Sequence, residues 1–114
     1  MDAHVHSFKH YQEFCKTTAV WPNVGSNYAY TALGLGSEVG GLQGKLKKII
    51  RDKGGVISEE DKVEIARDLG DCLYYIAATC SELGLSLEAV AESNYIKLKS
   101  RKERGVLHGS GDTR

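Results

Sequence analysis

Arg67-Asp68-Leu69-Gly70-Asp71-Cys72-Leu73-Tyr74-Tyr75 sets two carboxylates three residues apart at the edge of the most apolar run in the chain. On a helix, positions i and i+3 share a face with Cβ atoms roughly 5 to 6 Å apart, so Asp68 and Asp71 repel one another unless something cationic compensates them. A divalent cation would turn that repulsion into ligation. Between Leu69 and Cys80 the only charged residue is Asp71, and a helix that is apolar nearly all round is normally buried. The expectation is therefore a buried Asp71 that needs a cation or several donors. The competing reading is a solvated helix face.

Outward from this stretch the chain reads as helices. Ser58 and Asp61 form a capping box with the shorter acid, Glu59 and Glu60 suit a helix N-terminus, and Gly84 is a stop, which bounds a helix from Glu59 to Leu83. Its main apolar stripe is expected at Ala66, Leu69, Leu73, Ile76, Ala77 and Cys80, with Glu64, Asp68, Asp71 and Tyr75 on the opposite side.

From Tyr28 to about Lys53, the positions Tyr28, Ala32, Leu35, Val39, Leu42, Leu46 and Ile49 alternate spacings of four and three, the seam of a long packed helix. Gly34, Gly36, Gly40, Gly41 and Gly44 oppose this, each costing about 1 kcal/mol relative to alanine, so tertiary packing must hold the segment. At 100° per residue Gly34, Glu38, Gly41 and Lys45 share one flank. That small, open surface with one carboxylate and one ammonium resembles a site more than a solvated face. The basic run Lys45, Lys47, Lys48, Arg51 and Lys53 before Gly54-Gly55 suits a helix C-terminus.

Ser7 caps a first helix expected to reach Thr18, with Phe8, Tyr11, Cys15 and Ala19 as its apolar face. Trp21-Pro22-Asn23 breaks it, and Trp21 reads either as a lid over the core or as a stacking surface for a base. His4, His6 and His10 could hold a transition metal loosely or belong to a mobile N-terminus. Ser86 caps a last helix from Leu87 to about Arg104, with Gly105 beyond it. Leu87, Val90 and Ala91 begin an inward stripe that Asn94, Lys97 and Arg101 continue. Polar residues there mark either a functional cavity or a helix end entering water.

At 114 residues the chain is one domain, 1–114, with 1–6 and the glycine-rich 106–114 expected to be irregular. Fifteen basic residues balance fifteen acidic ones, which gives no reason to expect a nucleic acid polymer or anionic membrane as partner. No apolar run approaches the roughly 20 residues of a membrane span. Cys15, Cys72 and Cys80 form no Cys-x-x-Cys, and their odd number fits buried reduced thiols in a cytoplasmic protein.

Together these pieces describe an all-α, four-helix bundle-like domain with a cluster of Glu38, Asp68 and Asp71, Glu64 one turn away, and Lys97 and Arg101 as anion donors. All-oxygen ligands select magnesium, or manganese, over zinc, and a hard cation beside cationic side chains holds phosphates. A di-iron bundle would need Glu-x-x-His pairs, and the sequence has none.

Four blocks in order, Leu33-Gly34-Leu35-Gly36-Ser37-Glu38-Val39-Gly40-Gly41, Lys45-Leu46-Lys47-Lys48-Ile49-Ile50-Arg51-Asp52, Asp68-Leu69-Gly70-Asp71-Cys72-Leu73-Tyr74-Tyr75, and Ala91-Glu92-Ser93-Asn94-Tyr95-Ile96-Lys97-Leu98-Lys99-Ser100-Arg101, resemble the MazG-like nucleotide pyrophosphohydrolases. The likeness extends through the closing Arg104 to Asp112. It implies a fold completed as a dimer or tetramer, and magnesium-dependent hydrolysis of a nucleoside triphosphate to monophosphate and pyrophosphate, with clearance of non-standard nucleotides as one use. The family's metal motif is Glu-x-x-Glu followed on the next helix by Glu-x-x-Asp. Glu38 matches the first acid, Asp68 replaces the third with a shorter one, and Asp71 matches the fourth. The second falls on Gly41. Asn94, Lys97 and Arg101 match the phosphate-side residues, with Lys45 and Trp21 as further substrate contacts. The alternative that Gly41 leaves open is a degenerate relative that binds nucleotide, or serves as a helical interaction module, without catalysis.

Overall fold

Four side-chain caps start four helices. In the computed structural model, which describes residues 3–114, the caps are Ser7, Asn27, Ser58 and Ser86, each accepting from a backbone N–H of the first turn. They open α1 (Phe8–Lys16), α2 (Tyr28–Lys53), α3 (Glu59–Glu82) and α4 (Leu87–Glu103), and no strand occurs among the described residues. Such a cap contributes about 1 kcal/mol. The capping box at Ser58 and Asp61 is complete. Glycine follows three of the helix ends in the left-handed region, Gly54 at φ 60°, Gly84 at φ 68° and Gly105 at φ 71°, where a side chain would be strained. The expected non-helical start at 1–6 includes two residues outside the described ones; residues 3–6 lie in neither helix nor strand.

α2 and α3 run antiparallel, as Lys53 with Asp61, Lys45 with Asp68 and Gly34 beside Tyr75 show in succession. Lys53 Nζ donates to both Asp61 oxygens, at 2.9 and 3.0 Å, across the α2–α3 turn. That contact, with the Ser58 N–H, lowers the Asp61 carboxyl to about 2. α1 packs against α3 and α4, and α2 touches only α3. Cys15, Ala77, Cys80 and Leu87 form a core where α1, α3 and α4 meet, flanked by Tyr11 and Tyr74. Gln12 is buried in the same seam, its amide donating to Ser81 Oγ and the Leu85 carbonyl and accepting from the Leu87 N–H. All three cysteines are free and buried.

Two expectations about the helix faces are corrected. The single α3 stripe does not form: Leu69 and Ile76 are exposed, while Asp68 and Tyr75 turn toward α2 and Ala77 and Cys80 face the α1 side. Two neighbours flank α3, and on a helical wheel Leu69 and Ile76 fall between them. Asp71 is exposed rather than buried, because the apolar residues after it find cover on other flanks. On α2, Tyr28 and Val39 are exposed, whereas Thr31 and Ile49 are buried and Glu38 and Lys45 are half-buried.

α4 leaves the other helices after its first turns. The radius of gyration is 17.0 Å, where a compact chain of this length has about 13 Å. The accessible surface is 8307 Å² against about 6200 Å² for a compact monomer of this mass. No described helix is long and apolar enough to cross a membrane.

Candidate metal and phosphate site

Glu38 sits midway along α2, and Asp68 and Asp71 stand one turn apart on α3. The antiparallel pairing brings one carboxylate oxygen from each to within 4.8 Å of the others. Lys45, two turns beyond Glu38, donates from Nζ to Asp68 Oδ1 at 3.1 Å. Nζ also lies 2.9 Å from Asp68 Oδ2, but off the angle for a hydrogen bond, so that buried oxygen has no hydrogen-bond partner. A buried carboxylate oxygen without a donor is costly, and three converging carboxylates suit a hard cation. The residues present therefore fit a magnesium or manganese ion held by Glu38, Asp68 and Asp71.

Gly41 follows Glu38 by three residues, and a Cβ built there meets nothing within 4 Å. The position at which the resemblance expects a second acid is open space, with no substitute carboxylate. Gly34 is different, since a Cβ there would stand 2.6 Å from Tyr75 Cδ1. Glycine at 34 lets the Tyr75 ring lie against the α2 backbone. Burial first, then Tyr30 and the charge of Glu38, push the Tyr75 hydroxyl up, which keeps it a neutral donor beside the acids. Glu64 lines a groove of about 200 Å³ with Lys45, Lys48, Lys53 and Asp61. It is not one of the three clustered acids.

The phosphate-side residues lie elsewhere in the chain. Asn94 is exposed, Lys97 is half-buried and Arg101 is buried on α4. α4 and α2 do not meet, so one chain does not assemble the α4 cations with the α2–α3 acids. Lys97 Nζ donates to Asp112 Oδ1 at 2.8 Å, and Arg101 Nη2 donates to the same oxygen at 3.1 Å and to the Asp112 carbonyl. Lys97 first, then Arg101, hold the Asp112 carboxyl below its ordinary range. Asp112 had no role assigned from sequence. The signal was its place after Gly109-Ser110-Gly111, in a tail that has no helix but closes back on α4.

Trp21 is packed beneath its loop, 9% exposed, with its ring stacked on Tyr30 at 5.4 Å between centroids. Its indole N–H donates to Glu82 Oε1 at 2.8 Å. The same carboxylate accepts from the Gly25 and Asn27 backbone N–H groups, which lower its pKa. Glu82 thus pins the segment between α1 and α2, and its partners lie 55 to 61 residues away in sequence, beyond the reach of local patterning.

Fold and site together define an all-α protein whose acidic cluster is shared by two antiparallel helices. The chain belongs to the MazG family: the model of the MazG nucleotide pyrophosphohydrolase domain matches residues 35–106, a span that holds all three acids and Lys45, Asn94, Lys97 and Arg101. It is similar to the Gene 37 protein of Mycobacterium phage L5, 40% identical over 109 residues that cover 91% of this chain and 96% of that protein. No solved structure matches the chain.

Proposed function

We propose that the protein is a magnesium-dependent hydrolase that cuts a nucleoside triphosphate into monophosphate and pyrophosphate. The observation that carries the reading is the convergence of one carboxylate oxygen from each of Glu38, Asp68 and Asp71 to within 4.8 Å of the others, with Asp68 ion-paired to Lys45. A divalent cation held there would supply charge neutralisation to phosphate oxygens and polarise them for attack. Asp68 and Asp71 offer carboxylates from one face of α3, and Glu38 supplies the third across the helix pair. Lys45 pairs with Asp68 and adds positive charge at the rim, where a triphosphate arrives. Lys97 and Asn94 neutralise and hold the far phosphates, which stabilises charge developing on the pyrophosphate leaving group. Three buried, unpaired thiols support a reducing, cytoplasmic setting.

Self-association completes this site. α4 makes no contact with α2, and the chain carries roughly 2000 Å² more surface than a compact monomer, more than the roughly 800 Å² that each partner gives up in a standard interface. A second copy covering Leu33, Leu69 and Ile76 would bring its own α4 toward the acids. Clearing non-standard nucleotides is the use we assign to the reaction.

Gly41 favours a second reading, in which the chain binds nucleotide without hydrolysing it. Incubation with a panel of nucleoside triphosphates and magnesium, with pyrophosphate release measured, separates the two. Release by the unaltered chain supports the hydrolase. Release only by Gly41→Glu identifies a binding protein that lost the second acid of the motif, and release by neither sinks the enzyme.

A further inference from the structure

Arg101 and Lys97 share one spacing on α4 but stand in different environments. Arg101 is buried, 6% exposed, with its Nε unpartnered, and one of its two terminal nitrogens, Nη2, donates to Asp112 at both the carbonyl and Oδ1. Lys97 is half-buried, and with Asp112 it edges an open groove of about 470 Å³ lined also by Ser86, Ser93 and Asn94. Its ammonium has three donors, of which Asp112 takes one.

The tail is built to hold that arrangement. Arg114 donates to the carbonyls of Val106, Leu107 and Gly111, and Arg104 Nη2 donates to the Arg114 carbonyl oxygen at 2.8 Å. Gly109 and Gly111, at φ 148° and 87°, make the bends. A guanidinium closing three carbonyls is a rigid staple, and its result is a fixed Asp112 carboxylate at the groove edge.

We infer that Asp112 is a positioning residue for anion binding: anchored by Arg101 and the Arg114 staple, it holds the Lys97 ammonium toward the groove, so that Lys97 touches a substrate phosphate and Arg101 does not. This rests on the phosphate-binding reading of α4 given above. It reassigns Arg101 from phosphate ligand to anchor. A free lysine loses much side-chain rotamer entropy when it is fixed, and restraining it beforehand removes part of that loss from binding.

The sign of one substitution separates this role from plain electrostatics. Removing an exposed negative charge beside an anion site strengthens anion binding by Coulomb attraction alone. Positioning requires the opposite. The test is calorimetric titration of the full chain with magnesium pyrophosphate, alongside 15N NMR of the lysine ammonium groups without any anion. Asp112→Asn should free the Lys97 ammonium signal, weaken pyrophosphate about tenfold and raise KM with little change in kcat, while Asp112→Glu should recover most of the affinity. Arg101 Nη2 should still reach the residue 112 carbonyl in these variants, and unchanged amide shifts of residues 106–114 would verify that the tail remains folded. Pyrophosphate binding that is unchanged or tighter in Asp112→Asn overturns the inference, as does an unaltered chain that fails to bind pyrophosphate. Binding that depends on Lys97 and Asp112 without turnover of any triphosphate would leave the positioning role standing and sink the hydrolase.

Discussion

Lys45 Nζ lies 2.9 Å from Asp68 Oδ2 and donates to Asp68 Oδ1, so the ammonium of α2 offsets the more buried acid of the α3 pair. The hydrogen bond to Asp68 raises the Lys45 pKa before any other influence, and the Asp68 side chain is only 13% exposed. Lys45→Met should leave the half-buried Asp68 without its ion-pair partner. Thermal unfolding is expected to fall without metal and to be restored by millimolar magnesium, with a larger magnesium-induced rise than in the unaltered chain. A melting temperature equally insensitive to magnesium in both would remove the cation from this cluster.

The two glycines of the α2 flank should respond oppositely to alanine. Gly41→Ala meets open space and should stabilise the chain by about 1 kcal/mol through helix propensity. Gly34→Ala gains the same propensity but drives a methyl into the Tyr75 ring, and overpacking costs about 1 to 3 kcal/mol. Urea denaturation should therefore give a gain at 41 and a net loss at 34. Stabilisation at both would mean that Tyr75 moves aside freely.

Acid should loosen the start of α3 through Asp61. Its carboxyl is lowered from 3.8 to about 2, first by Lys53 and then by the Ser58 N–H. A depressed folded-state pKa contributes stability that is complete above the unfolded value and is lost as pH falls through the folded one. Protection against amide exchange at Ser58 to Lys62, taken relative to the intrinsic rate at each pH, should fall between about pH 4 and pH 2, and Asp61→Asn should flatten that dependence. An identical acid response in the variant would assign the loosening to other carboxyls.

Leu33 is 75% exposed and Leu69 53% exposed. If a second copy covers them, Leu69→Glu should lower the mass measured by sedimentation to that of one 12.5 kDa chain and depress turnover with it. A monomeric unaltered chain that remains fully active would contradict a site completed between copies.

How much of this was legible beforehand follows the range of the interactions involved. α2 begins and ends where its sequence pattern places it, and the Ser58–Asp61 box is present as expected, because caps and glycine stops act within a few residues. Glu38, Asp68 and Asp71 were singled out by charge in a poor place for charge, and their oxygens do converge. The exposure of Asp71 and of Leu69 was not legible, since it depends on which flanks of α3 its neighbours occupy. Glu82, Gln12 and Asp112 escaped for the same reason. Each acts on backbone or cations in another element, a contact that local patterning does not reveal.

The central claim, that Glu38, Asp68 and Asp71 form a cation site for triphosphate hydrolysis, is tested most directly at Asp71. Its exposure makes Asp71→Asn nearly neutral for the fold, within about 0.5 kcal/mol, and the amide removes the ligand charge while keeping the shape. Magnesium-dependent pyrophosphate release should drop at least about a hundredfold, with the melting temperature unchanged. Release at the same rate and with the same magnesium dependence in Asp71→Asn would contradict the account.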